Sequence, residues 1–314
     1  MAYELSMTGP FDYSLFGLHI RSDLLLPELR AVKLASNPQV HIRLGPVAAV
    51  GQAGLSAIEG GAQLTIDGVA RYAITDASLI TIDRGADVPD ANIRLYLLGS
   101  AMGILLHQRG VMPLHANAIE IDGRAFAFTG ASGAGKSTLA AWFHDHGHRI
   151  IADDICAISF DRDQSPVVAP GLPRLRLWRE ALERSGRDAT GFRRSYAGDD
   201  DWEKYDVPLP QDDALPTAVP LGAIYVLAKG DALAMTRLEG IQATEAMFAN
   251  TYRGAHVPAF GDVGKHWKAC VQLAAHTPIF QLARPWDLDR LADDISALVA
   301  HMRSRVTDSA PENP

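Results

Sequence analysis

The chain of 314 residues carries two cysteines, Cys156 and Cys270, in unrelated contexts. The first lies inside an apolar strand-like run, so both read as packing residues of a reduced, cytoplasmic protein rather than as a disulfide framework. Long apolar runs are also missing. The longest, Leu95 to Leu106, is too short to span a membrane and holds Gly99 and Gly103, so it reads as a buried helix. Met1 to Pro10 has no basic region, apolar core or cleavage site, and the expectation is a protein without membrane attachment. Positive charge is in short supply: 29 Lys and Arg stand against 37 Asp and Glu, a formal net charge of -8. That balance argues against non-specific nucleic-acid binding, although an acidic protein can still present a local basic pocket. No internal repeat is visible. A hydrophobic share of 47% supplies an ample core, and the length suits one large domain or two ordinary ones.

What is present is the run Gly130-Ala131-Ser132-Gly133-Ala134-Gly135-Lys136-Ser137-Thr138, directly after the apolar stretch Ala125 to Thr129. It fits the G-x-x-x-x-G-K-[ST] phosphate loop, with a strand before it and helix-forming residues after it. The glycines let the backbone turn tightly and bring successive N–H groups onto a polyphosphate. The helix beginning near Lys136 adds its positive end. Lys136 supplies a cation for the β- and γ-phosphates, and Ser137 an oxygen for Mg²⁺.

Asp153 and Asp154 follow the short apolar strand pattern Ile150-Ile151-Ala152, seventeen and eighteen residues after Lys136. A helix from Ser137 to His146, closed by Gly147, fills the gap. The order is therefore strand, phosphate loop, helix, strand, then two carboxylates at a C-terminal strand end, where ligands collect in such sheets. One carboxylate can hold Mg²⁺, and the other can accept a proton from an attacking hydroxyl.

Gly130 to Thr138, followed by Gly147-His148-Arg149-Ile150-Ile151-Ala152-Asp153-Asp154, resembles the catalytic core of the HPr kinase/phosphorylase family. There a phosphate loop is followed at this spacing by G-H-R, two hydrophobic residues and A-D-D. His115, twenty-one residues before Lys136 on the expected strand Val111 to Ile119, stands where that family carries its active-site His. The resemblance covers Val111 to Phe160 with specific motifs and the rest of the C-terminal half more loosely. It implies an α/β fold: a P-loop core of the HPr-kinase and phosphoenolpyruvate-carboxykinase type, with a small β-rich N-terminal domain. ATP and Mg²⁺ are the implied cofactors. Lys136 and Ser137 bind them, Asp153 assists with the metal, Asp154 accepts the proton of a substrate serine, and His115 supports Asp154. Arg253 is a transition-state cation by the same resemblance.

The family's later E-[IV]-R-G-L-G-[IV] signature is missing. In its approximate place stands Pro173-Arg174-Leu175-Arg176-Leu177-Trp178-Arg179-Glu180, which argues against the reverse, phosphorylase reaction and against HPr as acceptor. With Tyr252-Arg253 and a closing helix at Pro285-Trp286-Asp287-Leu288, the chain is more similar to HPr-kinase-like proteins of peptide biosynthesis clusters. It resembles in particular the lasso-peptide-tailoring kinases, which phosphorylate the C-terminal serine side chain of a precursor peptide. A precursor peptide is the partner this implies, with neither nucleic acid nor membrane. HPr kinase/phosphorylases are hexamers, but the N-terminal region here differs, which leaves a homo-oligomer open. Three other readings stand beside it: a bifunctional HPr kinase/phosphorylase acting on a carrier protein, a phosphoenolpyruvate-carboxykinase-like enzyme of small molecules, and a nucleotide-sensing module without transfer chemistry.

Three regions are expected. Residues 1–90 form a small antiparallel β-rich domain, with strands at Val40 to Leu44, Ala62 to Ile66 and Leu79 to Ile82. Residues 91–303 form the kinase domain, entered through a helix from about Ala91 to Arg109. It includes a strand at Ala223 to Ala228 and helices near Ala243 to Tyr252, Val263 to Ala275 and Asp287 to Met302. Residues 304–314 are a polar, flexible tail. The segment Gly186 to Pro210 lacks periodicity and is long for a connection. It holds Arg193, Arg194 and Lys204 beside Asp199, Asp200 and Asp201, and reads equally as a flap whose cations meet phosphate or peptide carboxylate and as a solvated loop. Arg174 and Arg176 alternate with Leu175 and Leu177, so both project to one strand face that could meet ATP or substrate. His144, His146 and His148 fall at a helix C-terminus, where the dipole favours His, and do not read as a metal site.

Overall fold

The computed structural model describes residues 10–33, 36–196, 203–210, 217–287 and 290–307. The N-terminal sheet has seven strands: β1 (Phe11–Leu15), β2 (Leu18–Ser22), β3 (Val40–Leu44), β4 (Gly54–Ile58), β5 (Gly61–Ile66), β6 (Ala70–Thr75) and β7 (Leu79–Arg84). Their order is β1-β2-β3-β7-β6-β5-β4. The expectation of an antiparallel sheet needs correction, because β3 runs parallel to both β2 and β7. The remaining pairs are hairpins closed by tight turns, such as Asp76 and Ala77 with φ of 54° and 51°. Strand β3 is reached instead through the connection 23–39, long enough for the crossover a parallel pair requires.

Apolar residues at alternate positions of these strands, among them Ile20, Ile42, Tyr72, Ile74 and Ile80, face inward. They pack on α1 (Asp90–Tyr96), a π turn (Leu97–Ala101) and α2 (Met102–Gln108) through Ile93, Leu97, Ile104 and Leu105. Ile155, Ala157, Ala169 and Leu172 of the following region complete the same cluster, so the core runs across residue 90.

The second sheet has nine strands. It contains β8 (Met112–Leu114), β9 (Ala116–Ile121) and β10 (Arg124–Thr129), then, after α3 (Lys136–Asp145), β11 (Ile150–Ala152), β12 (Cys156–Phe160) and β13 (Pro166–Ala169). A separate three-stranded sheet follows: β14 (Arg174–Trp178), then α4 (Arg179–Arg184), β15 (Arg193–Arg194) and β16 (Lys204–Pro208). The chain then returns to the nine-stranded sheet with β17 (Val219–Lys229) and β18 (Ala234–Leu238), passes through α5 (Gly240–Ala249), α6 (Val257–Phe260) and α7 (Val263–His276), and ends with β19 (Ile279–Arg284) and α8 (Leu291–Thr307). The strand order is β11-β9-β10-β17-β13-β12-β8, with β19 also on β17 and β18 beside it. β10 and β17 are parallel neighbours.

The expected strand Val111 to Ile119 is two strands that part at His115. β8 pairs with β12, whereas β9 pairs with β10 and β11. The expected aperiodic stretch Gly186 to Pro210 contains β15 and β16, while Asp199, Asp200 and Asp201 lie outside the described residues. Helix α8 begins at Leu291 and runs to Thr307, later at both ends than expected, and Leu288 lies outside the described residues. Among the described residues no helix is long and apolar enough to cross a membrane.

Candidate functional site

Strand β10 is held in the core by Phe126 and Phe128, the latter stacked between Phe143 of α3 and Tyr225 of β17. The chain leaves it through Gly130, Gly133 and Gly135, all with positive φ. At Gly130 (φ 139°) a Cβ would lie 3.0 Å from the Leu227 carbonyl oxygen, so strain and space both require glycine. Lys136, the first residue of α3, is 8% exposed. Its Nζ donates to the carbonyls of Gly130 (2.7 Å) and Ala131 (3.2 Å), curling the ammonium over the loop. Burial lowers its pKa, and the charge of Asp154 opposes that. Asn117 of β9 donates through Nδ2 to the Lys136 carbonyl at 3.0 Å, fixing the start of the helix. The Ser137 and Thr138 side chains follow in the first turn, half-buried.

The two carboxylates follow β11 and differ sharply. Ile155 N donates to the Asp153 carbonyl at 2.9 Å around Asp154, whose φ is 72°. This is a γ-turn of the strained hand, a conformation that concentrates at functional sites. Asp153 is 7% exposed, and its Oδ2 accepts the backbone N–H of Arg176 at 2.6 Å. Burial, then the adjacent Asp154 charge, pushes its pKa up to about 7. The Asp154 side chain is 31% exposed and accepts from Arg176 Nη1 at 3.1 Å. Burial alone would raise its pKa, but Arg176, His115, Lys204 and Arg174 together hold it below the ordinary carboxylate value.

His115, at the seam between β8 and β9, has Nδ1 at 3.0 Å from the Asp154 carbonyl and 3.7 Å from its Oδ1. Burial, then Lys136, lowers its pKa. A carbonyl oxygen only accepts, so Nδ1 carries the proton and donates. The Tyr252 ring packs 5.9 Å from the imidazole, centroid to centroid.

Strand β14 brings up the cations. Its Leu175 and Leu177 join Tyr205 and Val207 of β16 against Ala140 and Ala141 of α3, which turns Arg174 and Arg176 to the opposite face. Asp206, directly across the ladder from Arg176, pairs with Arg174 and stands 3.5 Å from Arg176 Nε. Ser195 Oγ donates to the same carboxylate at 2.7 Å. Among the described residues Arg176 Nη2 is buried and has no hydrogen-bond partner. Lys204 Nζ lies 4.6 Å over the Trp178 ring, and burial lowers its pKa against the pull of Asp154.

The structure thus gathers Lys136, His115, Asp153, Asp154, Arg174, Arg176 and Lys204. Arg253 has φ 57°, its Nη2 donates to Ser100 Oγ of the π turn at 2.7 Å, and its guanidinium lies 5.7 Å over the Tyr252 ring. Arg193 is exposed on β15, and Arg194 stands 4.0 Å from Glu203. Sequence reasoning missed Asp206, Ser195 and Asn117. The signal for Asp206 was the alternation Lys204-x-Asp206, which mirrors Arg174-x-Arg176 and suits a cross-strand charge pair. A cavity of about 870 Å³ lies at the far end of α3, lined by residues such as His148, Arg149 and Pro173, and none of the gathered side chains lines it.

Among the described residues no group of three or more His, Cys, Asp and Glu could cage a metal. The Ser137 hydroxyl and the Asp153 carboxylate offer oxygen alone. That suits Mg²⁺, which binds through one or two carboxylates plus substrate phosphates and retained waters. Among the described residues no cationic side chain stands at hydrogen-bond distance from Asp153, whose Oδ2 takes the Arg176 backbone N–H.

No protein-family model matches the chain. Over 55 residues it is 44% identical to the HPr kinase/phosphorylase of Lactobacillus acidophilus; the match takes in 18% of this chain and spans 17% of the length of that curated relative. The solved structure of the Hpr(Ser) kinase/phosphatase from Coxiella burnetii aligns over 61% of this chain and 97% of that chain, at 11% identity and a TM-score of 0.31. A superposition that loose does not define a shared fold.

Proposed function

We propose that the chain is an ATP- and Mg²⁺-dependent phosphotransferase that moves the γ-phosphoryl group to a serine hydroxyl. The observation that carries this reading is the meeting of a phosphate loop and its Lys136 with the carboxylate pair Asp153 and Asp154 and with His115. The partial identity with an HPr kinase/phosphorylase supports the same chemistry.

Backbone N–H groups from Ala131 to Ser137 cradle the phosphates, and Lys136 exchanges the Gly130 and Ala131 carbonyls for β- and γ-phosphate oxygens. Ser137 and Asp153 would hold Mg²⁺, which would supply the screening of the phosphate charge. Asp154 is the reachable carboxylate and receives the hydroxyl proton. Kept ionised by Arg176, it is a weak base, which suits a loose transition state in which the proton leaves late. His115 holds the Asp154 turn through its Nδ1–H. Positioning and charge stabilisation supply most of the acceleration.

For the acceptor, the proposal is the C-terminal serine of a precursor peptide, supported by the loss of the phosphorylase-type signature at residues 173–180. The second reading is a carrier protein such as HPr, favoured by the partial identity with an HPr kinase/phosphorylase. Mass spectrometry on matched peptides beside purified HPr separates them. The expected result is a gain of about 80 Da on the Ser-ending peptide with ATP and Mg²⁺, absent when Ser is replaced by Ala. Efficient labelling of HPr alone would replace the peptide reading. Nucleotide binding without transfer or hydrolysis would leave a sensing module.

A further inference from the structure

Arg176 touches both carboxylates and yet has a donor to spare. Its backbone N–H binds Asp153 Oδ2, its Nη1 binds Asp154 Oδ2, and its Nε faces Asp206. The side chain is 10% exposed, and its buried Nη2 has no hydrogen-bond partner among the described residues. A guanidinium placed only to neutralise Asp154 and Asp206 would present its full fork to them, since arginine and carboxylate pair through two parallel bonds. Here one edge of the fork is withheld from both.

The charge balance points the same way. Lys136, Lys204, Arg174 and Arg176 gather around Asp153, Asp154 and Asp206, an excess of positive charge even with all three carboxylates ionised. Asp206 is fully engaged, accepting from Arg174 and Ser195 and facing Arg176. It therefore fixes the direction of both guanidinium groups. Arg253, the transition-state cation that the family resemblance implied, donates to Ser100.

We infer that Arg176 is the cation that meets the transferring phosphoryl group, through its free Nη2, and that Asp206 is the positioning residue that aims it. The inference rests on the phosphoryl-transfer reading above. In the step, the bond from the γ-phosphorus to the ADP oxygen breaks and the bond to the acceptor oxygen forms. The acceptor proton passes to Asp154. Arg176 gains and loses no proton; it donates hydrogen bonds to non-bridging oxygens of the group in flight, where a preorganised donor acts most strongly.

The experiment compares wild type, Arg176→Gln, Arg176→Lys, Arg176→Ala, Asp206→Asn and Arg253→Gln. It measures ATP turnover with Mg²⁺, to acceptor or to water, and ADP affinity with and without fluoroaluminate, which mimics the group in flight. Arg176→Gln is expected to lower turnover by about 100-fold or more while ADP affinity stays within a few-fold. It should also lose the tightening of ADP by fluoroaluminate. Asp206→Asn should show a smaller loss of both turnover and tightening. If Arg176→Gln does not fold, Arg176→Lys keeps a charge beside Asp154 and should still lose the fluoroaluminate response. Added guanidinium ion should restore part of the activity of Arg176→Ala, a rescue that a merely structural residue would not give. Wild-type turnover and tightening in the folded Arg176 variants would overturn the inference, as would a larger turnover loss in Arg253→Gln. A wild-type protein that neither turns over ATP nor responds to fluoroaluminate defeats the phosphoryl-transfer reading and this inference with it.

Discussion

Asp153 is sealed against the backbone of β14, while Asp154 rests on a strained turn and meets Arg176, so one substitution has two outcomes. Asp154→Asn should keep ATP–Mg²⁺ affinity within a few-fold and lower turnover by about 100-fold or more, because only the proton acceptor is lost. Asp153→Asn should weaken Mg²⁺ dependence and activity together. Titrating Mg²⁺ against rate in both variants checks this; equal loss of nucleotide affinity in the two would contradict the division. Lys136→Ala should abolish transfer, since among the described residues no other cation is anchored on the loop carbonyls. At this scale much of the site could be read from the chain. The phosphate loop, the paired acids and the shared face of Arg174 and Arg176 all lie within local spacing rules. Asp206 was legible only in part: its alternation with Lys204 is a local signal, but its partner across the ladder, Arg176, stands thirty positions away. The direction of Arg253 was hidden: it is set by one left-handed backbone angle and by a serine 153 positions earlier.

Elements bring these residues together through close approaches. The π turn and α2 pass the Tyr252 ring so tightly that a Cβ at Gly103 would fall 2.7 Å from its Cδ1. Gly103→Ala should therefore displace the tyrosine packed on His115 and lower turnover more than it lowers ADP affinity. A variant with unchanged kinetics would show that the ring does not brace the histidine. Helices α5 and α7 and strands β3, β5 and β7 lie close to where periodicity puts them, because each buries one regular face. The break at His115 was not visible, since Val111 to Ile119 reads as one apolar run and its two halves differ only in which sheet they join. Nor were β15, only two residues long, and β16, whose short alternation of Tyr205 and Val207 with Lys204 and Asp206 sits inside a charged stretch.

At the scale of the molecule, one apolar cluster joins the N-terminal sheet to Ile155, Ala157, Ala169 and Leu172, so the two regions share a core. Beside it sits His107, whose Nε2 lies 3.0 Å from the Tyr252 carbonyl and whose ring is within 5.4 Å of Phe260 and His266, centroid to centroid. Burial, despite the Tyr252 carbonyl and aided by His266, lowers its pKa to about 4 from an ordinary 6.5. The unfolded chain thus binds the proton more readily. Stability from this group is complete above about pH 6.5 and is lost as pH falls through 4, amounting to about 2 kcal/mol between pH 7 and pH 5. His107→Gln should shrink the difference between thermal midpoints at those two pH values; an unchanged difference would assign the acid sensitivity to other groups. The thiols of Cys156 and Cys270, pushed up to about 12 by burial, should not react in the folded protein.

The bond from position 176 to Asp153 has a consequence of its own. It comes from the main chain, so any residue but proline can make it. The anchor of that carboxylate is therefore indifferent to the side chains that β14 displays. Over evolutionary time the side chains of the strand can be rewritten without loosening the acid behind it. A chain can depart from its relatives at residues 173–180 and still keep that anchor for the acid.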